Sequence, residues 1–339
     1  MTACDNRSIV SPKNFPNDFQ IKALSSLLDE VAASHYRFIT PTPLTHRTVL
    51  KNRHAPAQTL RDIFGWNLSF DAACIAPVLF ESMQKSGIVV PREGLHRSTV
   101  RVASLDDDLF YHSGYPTMRD DAVFFGPDTY RFIRLIRQRL QQMIGRSPMR
   151  RILDIGCGSG VGGIMSAKML AAFNLANAHE LEVVTNDINP FALALTGINA
   201  HAAGIRITPV LGDTFSAVTG EFDLIVCNPP YLEDTQERAY RHGGAGLGRE
   251  LGVRIAEEAL THLAPDGSLV LYTGVAIVDG KDEFIAALAP GLSARGYDWQ
   301  YEEIDPDIFG EELMRPQYEG AERIAAVGLT VKRPARAMA

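Results

Sequence analysis

Arg151-Ile152-Leu153-Asp154-Ile155-Gly156-Cys157-Gly158-Ser159-Gly160 decides the fold. The apolar positions read as a short buried strand, the glycines after them as a tight turn, and Val161 to Ala172 as a helix. Glycine lets a backbone approach a ligand closely, and the free N–H groups of a new helix point at that ligand. The next strand, Leu181 to Asn186, ends at Asp187, 33 residues beyond Asp154 (187 − 154). A carboxylate at the tip of a second strand is where ribose hydroxyls are accepted. A third strand, Ile207 to Leu211, closes with Gly212-Asp213-Thr214.

A fourth apolar run, Phe222 to Cys227, delivers Asn228-Pro229-Pro230-Tyr231 at its end. This puts hydrogen-bond acceptors at the mouth of a buried strand. A planar amino group has a delocalised lone pair and attacks electrophiles poorly. The Asn228 side-chain oxygen and the Pro229 carbonyl can accept its two N–H bonds and orient the lone pair. Pro229 and Pro230 stiffen the turn and bring no competing N–H, and Tyr231 is placed to stack on a flat group. Taken alone, the four residues also read as an ordinary turn after a strand.

Gly158-Ser159-Gly160-Val161-Gly162-Gly163 fits the G-x-G-x-x-G pattern of nicotinamide-cofactor sites, a weak signal by itself. Asp154, two residues before the first glycine, instead resembles the Asp-x-Gly-x-Gly-x-Gly signature of Rossmann-like S-adenosylmethionine-dependent methyltransferases. That resemblance implies that Asp154 orients the glycine loop and the methionine end of the cofactor, and that Asp213 lies beside the adenine amino group. It implies a cofactor site built from Phe125, Pro127, Asp154, Gly156, Gly158, Gly160, Asp187, Ile188, Asp213, Thr214 and Asn228. The catalytic segment is Asn228, Pro229, Pro230 and Tyr231. The implied fold is α/β, a Rossmann-like seven-stranded methyltransferase sheet with helices on both faces.

From Phe125 to Gly274 the chain resembles most the N5-glutamine methyltransferases that modify peptide-chain release factors. Pro127-Asp128-Thr129, the glycine loop, Asn186-Asp187-Ile188-Asn189-Pro190, Gly212-Asp213 and Asn-Pro-Pro-Tyr carry the likeness. The chain departs from that family at Gly126 and Tyr130, where the family has arginine and glutamate. It departs again over Glu237 to Gly244, in place of a Glu-Pro pair. The resemblance implies methyl transfer to a planar nitrogen, a glutamine-type amide of a protein. A small-molecule amide or guanidino nitrogen and an exocyclic base nitrogen of RNA or DNA are the alternatives.

Charge weighs on that choice. Residues 1–150 hold 19 Lys+Arg against 14 Asp+Glu and residues 151–339 hold 14 against 26, within a net charge of −7. Proteins that grip nucleic acid present a basic surface, so a protein or small-molecule acceptor is favoured over nucleic acid. The densest cations, Arg131, Arg134, Arg137 and Arg139, fall on an expected helix from Asp128 to Ile144 and read as a solvated face.

At 339 residues and 46% hydrophobic, the chain can bury a full core and divides into two expected parts, 1–115 and 116–339. No apolar run approaches a membrane span, and Met1 to Ser11 lacks the features of a signal peptide, so a soluble cytoplasmic protein is expected. The four cysteines, Cys4, Cys74, Cys157 and Cys227, and the nine histidines lack metal-ligand spacing, so no metal site is expected. Nothing in the pattern speaks to oligomeric state.

The N-terminal part reads as a substrate-recognition domain. Helices are expected over Phe19 to Ala33, Ala57 to Phe64 and Asp71 to Ser86, then a hairpin of Ser98 to Ser104 with Asp106 to His112, a mixed helical, winged-helix-like layout. Ser113 to Asp121 is a hinge, and Ala122 to Pro127 either a lid over the cofactor or an apolar connector. Beyond the acceptor loop, a helix over Arg249 to Leu263, a turn at Pro265 to Gly267, a strand over Ser268 to Thr273 and a helix over Asp282 to Leu288 are expected. Tyr297 to Ile304 and Ile324 to Val331 are read as an antiparallel edge, and the acidic Asp305 to Met314 segment as a border of the substrate cleft.

Overall fold

The computed structural model describes residues 18–53, 55–145, 148–177 and 180–335. Cys4 and the Met1 to Ser11 stretch lie outside them. The N-terminal part contains α1 (Asp18–Ala33), α2 (Pro43–Lys51), α3 (Pro77–Lys85), β1 (Val89–Arg92), β2 (Leu95–Ser98), β3 (Val100–Leu105) and β4 (Asp108–Ser113). The strands pair as two antiparallel hairpins, β1 with β2 and β3 with β4. The hairpin predicted at 98–112 is β3–β4. The Ala57 to Phe64 helix is instead a short π-type turn at Arg61–Gly65, and the Asp71 to Ser86 helix is interrupted before Pro77, whose ring cannot continue a preceding helix.

This part does not close a core alone. Its cluster of Leu27, Phe38, Phe64, Phe70 and Tyr111 is completed by Ala192, Leu195 and Ile198 of the following region. Full burial of a Leu or Ile side chain contributes roughly 1.5–3 kcal/mol, so Leu195 and Ile198 help to hold the two parts together.

That region runs α4 (Pro127–Gln141), β5 (Arg151–Ile155), α5 (Val161–Ala172), β6 (Glu182–Asp187), α6 (Pro190–Ala202), β7 (Thr208–Leu211), β8 (Phe222–Cys227) and α7 (Glu250–His262). It continues with β9 (Leu263–Val278), the two-residue β10 (Lys281–Asp282), α8 (Glu283–Ala294), β11 (Asp298–Asp305) and β12 (Ala321–Lys332). The sheet order is β7-β6-β5-β8-β9-β12-β11, with β10 attached to the end of β9. Strands β5 to β9 are parallel along this order, while β12 runs antiparallel to both β9 and β11.

The apolar strands are buried on both faces, as crossover helices require. Ile152, Val226 and Val270 pack toward one cluster with α4 and α5, and Leu153, Ile225 and Leu271 toward another with α7 and α8. Helices therefore cover both sheet faces. The predicted Pro265–Gly267 turn lies inside β9, as an irregularity between its pairings of Leu263 and Ser268 with β8. β5 lies between β6 and β8, and the sheet order reverses there, which is where doubly wound folds open a crevice at their strand ends.

The arginines of α4 are not a solvated face. Arg139 is buried and bonds Gln300 and Glu302, Arg131 bridges Asp128 and Asp305, and Arg137 pairs with Asp106. Arg134 is exposed, and Arg131 and Arg137 are half-buried. Charged partners on β11 and on the β3–β4 turn, distant in sequence, make the difference. Among the described residues, no helix is long and apolar enough to cross a membrane, and no group of three His, Cys, Asp or Glu side chains is placed to hold a metal.

Candidate active site

A cavity of about 570 Å³ opens at the C-terminal ends of β5, β6 and β8. Gly156, Gly158 and Gly160 follow β5 with φ of +64°, +56° and +79°, a left-handed backbone that side chains resist. A Cβ at Gly156 would meet no atom within 4 Å, so this glycine faces open space. Gly160 is different. Its Cβ would lie 2.6 Å from Thr196 Cγ2, and it is the N-cap of α5 rather than part of the cavity wall.

Asp154 and Asp187 brace this loop from two sides. The Asp154 carboxylate accepts the Gly163 N–H at 2.7 Å, while Asp187 accepts the N–H groups of Gly158 at 2.9 Å and Asn189 at 2.8 Å. Burial drives the Asp154 carboxyl up to about 7, with the Gly163 N–H pulling it down and Asp187 adding to the rise. Burial also raises Asp187, against the N–H groups it accepts. Both line the cavity, and neither has a cationic partner among the described residues.

The side of the cavity beyond β6 and β7 is walled by Ile188, 59% exposed, with Asp213 and Thr214. Asp213 holds a forked pair with Arg254 at 2.9 and 3.0 Å, and the Thr214 hydroxyl donates to Glu258 at 2.7 Å. The carboxylate expected beside an adenine amino group is thus already engaged by α7.

Asn228 follows β8, half-buried on the cavity wall, and no hydrogen bond to its carboxamide occurs among the described residues. Pro229 and Pro230 line the wall beside it. Tyr231 is buried more deeply than its predicted stacking role requires. Its ring fits against Gly274, where a Cβ would lie 2.4 Å from it, and its hydroxyl donates to Asp128 at 2.7 Å.

Phe125 and Pro127 are absent from the wall. Phe125 is fully buried against Phe110, His112 and Tyr130, so the Ala122 to Pro127 segment is largely a packed connector, with Ala122, Val123 and Phe124 reaching the cavity. Pro127 opens α4 at its first turn, the position that tolerates proline.

The far end of the cavity escapes sequence reading in part. The Asp305 to Met314 border is as expected, with Phe309, Glu311, Glu312 and Met314 on the wall. α2 is not. It contributes Leu44 and Arg47, and only the Thr42-Pro43 pair, with Thr42 accepting the Thr45 N–H, marks its start. The loop after Tyr231 is fixed by a buried Asp234–Arg238 pair at 2.6 Å, by Arg241 against Asp234 and Glu312, and by Arg315 on Glu312 at 2.6 Å.

These features fit S-adenosylmethionine. The buried Asp154 and the half-buried Asp187, without cationic partners among the described residues, line a cavity suited to a ligand with sulfonium and ammonium charges, and Gly156 leaves room for close backbone approach.

The methyltransferase small domain family matches residues 134–276. A release factor glutamine methyltransferase of Deinococcus radiodurans is 32% identical over 191 residues, 55% of this chain and 63% of that protein. A Methanocaldococcus jannaschii protein, provisionally named a protein N5-glutamine methyltransferase, is 31% identical over 145 residues, 41% of this chain and 68% of that protein. A ribosomal RNA small subunit methyltransferase C of Chromohalobacter salexigens is 33% identical over 138 residues, 41% of this chain and 35% of that protein. The chain thus spans from about a third to two thirds of the length of these relatives. With the Asp154 loop, the Asp187 strand tip and Asn228 set around one crevice, the chain belongs to the S-adenosylmethionine-dependent methyltransferases of the methyltransferase small domain family.

Proposed function

We propose that this protein methylates a planar nitrogen, the side-chain amide of a glutamine in a protein substrate. The observation that carries the reading is the Asn228 carboxamide, set on the cavity wall without a hydrogen-bond partner among the described residues. Its oxygen is free to accept an N–H of the acceptor, and its neighbours Pro229 and Pro230 offer no N–H to compete for it.

S-adenosylmethionine, when bound, supplies a methyl group on a sulfonium, an electrophile that needs alignment rather than activation. The chain's residues supply that alignment. Asp187 and Ile188 would hold the nucleoside, the Gly156–Gly158 backbone the methionine end, and Asp154 would keep the loop in shape. Asn228 and the Pro229 carbonyl would fix the acceptor nitrogen, a kind of positioning that supplies roughly 7–11 kcal/mol of a bimolecular barrier. Tyr231, expected to stack on the acceptor, acts in this reading as a wall held by Asp128. The acceptor nitrogen releases its proton after transfer, when it has become acidic, so no strong base is required.

The likeness to glutamine methyltransferases supports a protein acceptor. A second reading, an exocyclic base nitrogen of RNA, draws on the ribosomal RNA methyltransferase relative and is opposed by the net charge of −7. The test follows tritiated methyl from S-adenosylmethionine into cell extract separated into protein, nucleic acid and small molecules. Label is expected in protein and, after acid hydrolysis, as volatile methylamine, the product of an N-methyl amide. Label in nucleic acid, or on carbon or oxygen, overturns the assignment.

A further inference from the structure

Asp128, the second residue of α4, is 3% exposed yet borders the cavity. Its Oδ2 accepts the Tyr231 hydroxyl at 2.7 Å, and its Oδ1 accepts the Tyr272 hydroxyl at 2.6 Å and an Arg131 N–H at 3.1 Å. Arg131 continues to Asp305 at 2.7 Å. One carboxylate therefore ties together the start of α4, the acceptor loop, β9 and the end of β11. Burial, then the Asp128 charge, raises both tyrosines above the ordinary phenol value, so both stay protonated donors.

The acceptor loop has few means of its own to hold its shape. Pro229 and Pro230 carry no N–H, and the Asn228 side chain has no partner among the described residues. Its position is set at one end by Cys227 in the β8 ladder and at the other by Tyr231, pressed on Gly274 and bonded to Asp128, with Leu232 bridged to the Arg241–Gly243 backbone just beyond. Asn228 is three residues from Tyr231 (231 − 228). A carboxylate is costly to bury unless hydrogen-bonded, and here three donors, one of them cationic, converge on it.

We infer that Asp128 is a positioning residue for methyl transfer, fixing the Asn228–Tyr231 loop through the Tyr231 hydroxyl. The inference rests on the reading of Asn228 as the residue that holds the acceptor.

The test compares Asp128→Asn with Tyr231→Phe, which removes only the hydroxyl and keeps the ring against Gly274. Hydrogen exchange by mass spectrometry should show faster exchange in 228–232, by about tenfold or more, with 151–155 still protected. The maximal rate of tritiated methyl transfer to the accepting fraction of cell extract should fall about tenfold or more, with half-saturation by S-adenosylmethionine changed less than about twofold. The double variant should be no worse than the worse single one, because both substitutions act on the same Tyr231–Asp128 bond, one by deleting the donor and the other by weakening the acceptor. Unchanged exchange in 228–232, an unchanged maximal rate or additive losses would each overturn the inference. The exchange measurement needs no acceptor, so a nucleic-acid acceptor would defeat the glutamine assignment while leaving this readout intact.

Discussion

The Asp154 carboxylate lies 2.7 Å from the backbone nitrogen of Gly163, at the start of α5, and it fills the space that a side chain at Gly162 would need, while a Cβ at Gly163 would press on Asp154 Cβ and Val183 Cγ1 at 3.2 Å. A Cβ at Gly162 would stand 2.7 Å from Asp154 Oδ1. The acid of the sequence motif thus acts first on its own loop, accepting one of the N–H groups that a helix start leaves unpaired. Its bearing on the cofactor runs through the backbone that it shapes.

Stability should depend on pH through this group. Asp154 sits near 7 in the folded protein and at 3.8 in its ordinary state, so the folded form holds the extra proton between those values. Without cofactor, stability then falls as pH rises through that window and levels off above it, by up to about 4 kcal/mol. Asp154→Asn removes the titration. Urea unfolding at pH 5 and pH 8 should show the wild type losing stability relative to the variant, and an equal difference at both values would refute this account.

Asp187→Ala should weaken S-adenosylhomocysteine binding by roughly 1–3 kcal/mol. The residue does more than the expected ribose contact, because its carboxylate also accepts the Gly158 and Asn189 N–H groups. The loss should therefore extend to ligands trimmed of the ribose hydroxyls. Calorimetric titration with S-adenosylhomocysteine and its 2′,3′-dideoxy analogue decides the point: if the variant binds the analogue as well as the wild type does, the loop-bracing role is wrong.

Much of the catalytic half was legible because its signals are local. Short apolar strands, glycines at tight turns and acids at strand tips each need only a few neighbouring residues to declare themselves. What stayed hidden depends on residues distant in sequence. Arg139 reads as a surface cation until Gln300 and Glu302 of β11 are brought against it. Tyr231 reads as a stacking platform until Asp128, 103 residues away, takes its hydroxyl. Phe125 was misplaced for the same reason, since Phe110 and Tyr130 decide that it turns into the core. α2 is short, and its polar Thr45, His46, Arg47 and Thr48 blur the apolar period that would reveal it.

Arg238→Met should destabilise the loop beyond the acceptor turn. Asp234 is fully buried, and Arg238 meets it with two N–H bonds, at 2.8 and 2.6 Å, which hold its carboxyl below the usual range. Removing the arginine leaves that charge with Arg241 at 3.5 Å. Breaking a buried pair from one side costs about 3–5 kcal/mol, and the remaining arginine puts the expected loss at the low end. Chemical denaturation measures it. The double variant Asp234→Leu with Arg238→Met should recover most of the loss, and failure to recover would mean that packing rather than charge dominates.

Asn228→Ala separates binding from chemistry. The side chain has no partner within the described protein, so its removal leaves no buried group unsatisfied, and folding stability should change by less than about 1 kcal/mol. S-adenosylhomocysteine affinity should be nearly unchanged, because the glycine loop and Asp187 are untouched. Turnover should fall by about 10²-fold or more, the scale of losing a hydrogen bond that orients or stabilises the reacting group. Asn228→Asp should also fail, since a carboxylate keeps the acceptor oxygens but adds a charge that must be desolvated in the cavity. Single-turnover transfer to the isolated acceptor reads all three proteins. Wild-type rates in Asn228→Ala would reduce Asn-Pro-Pro-Tyr to a turn and leave the orientation of the acceptor nitrogen to other residues of the wall.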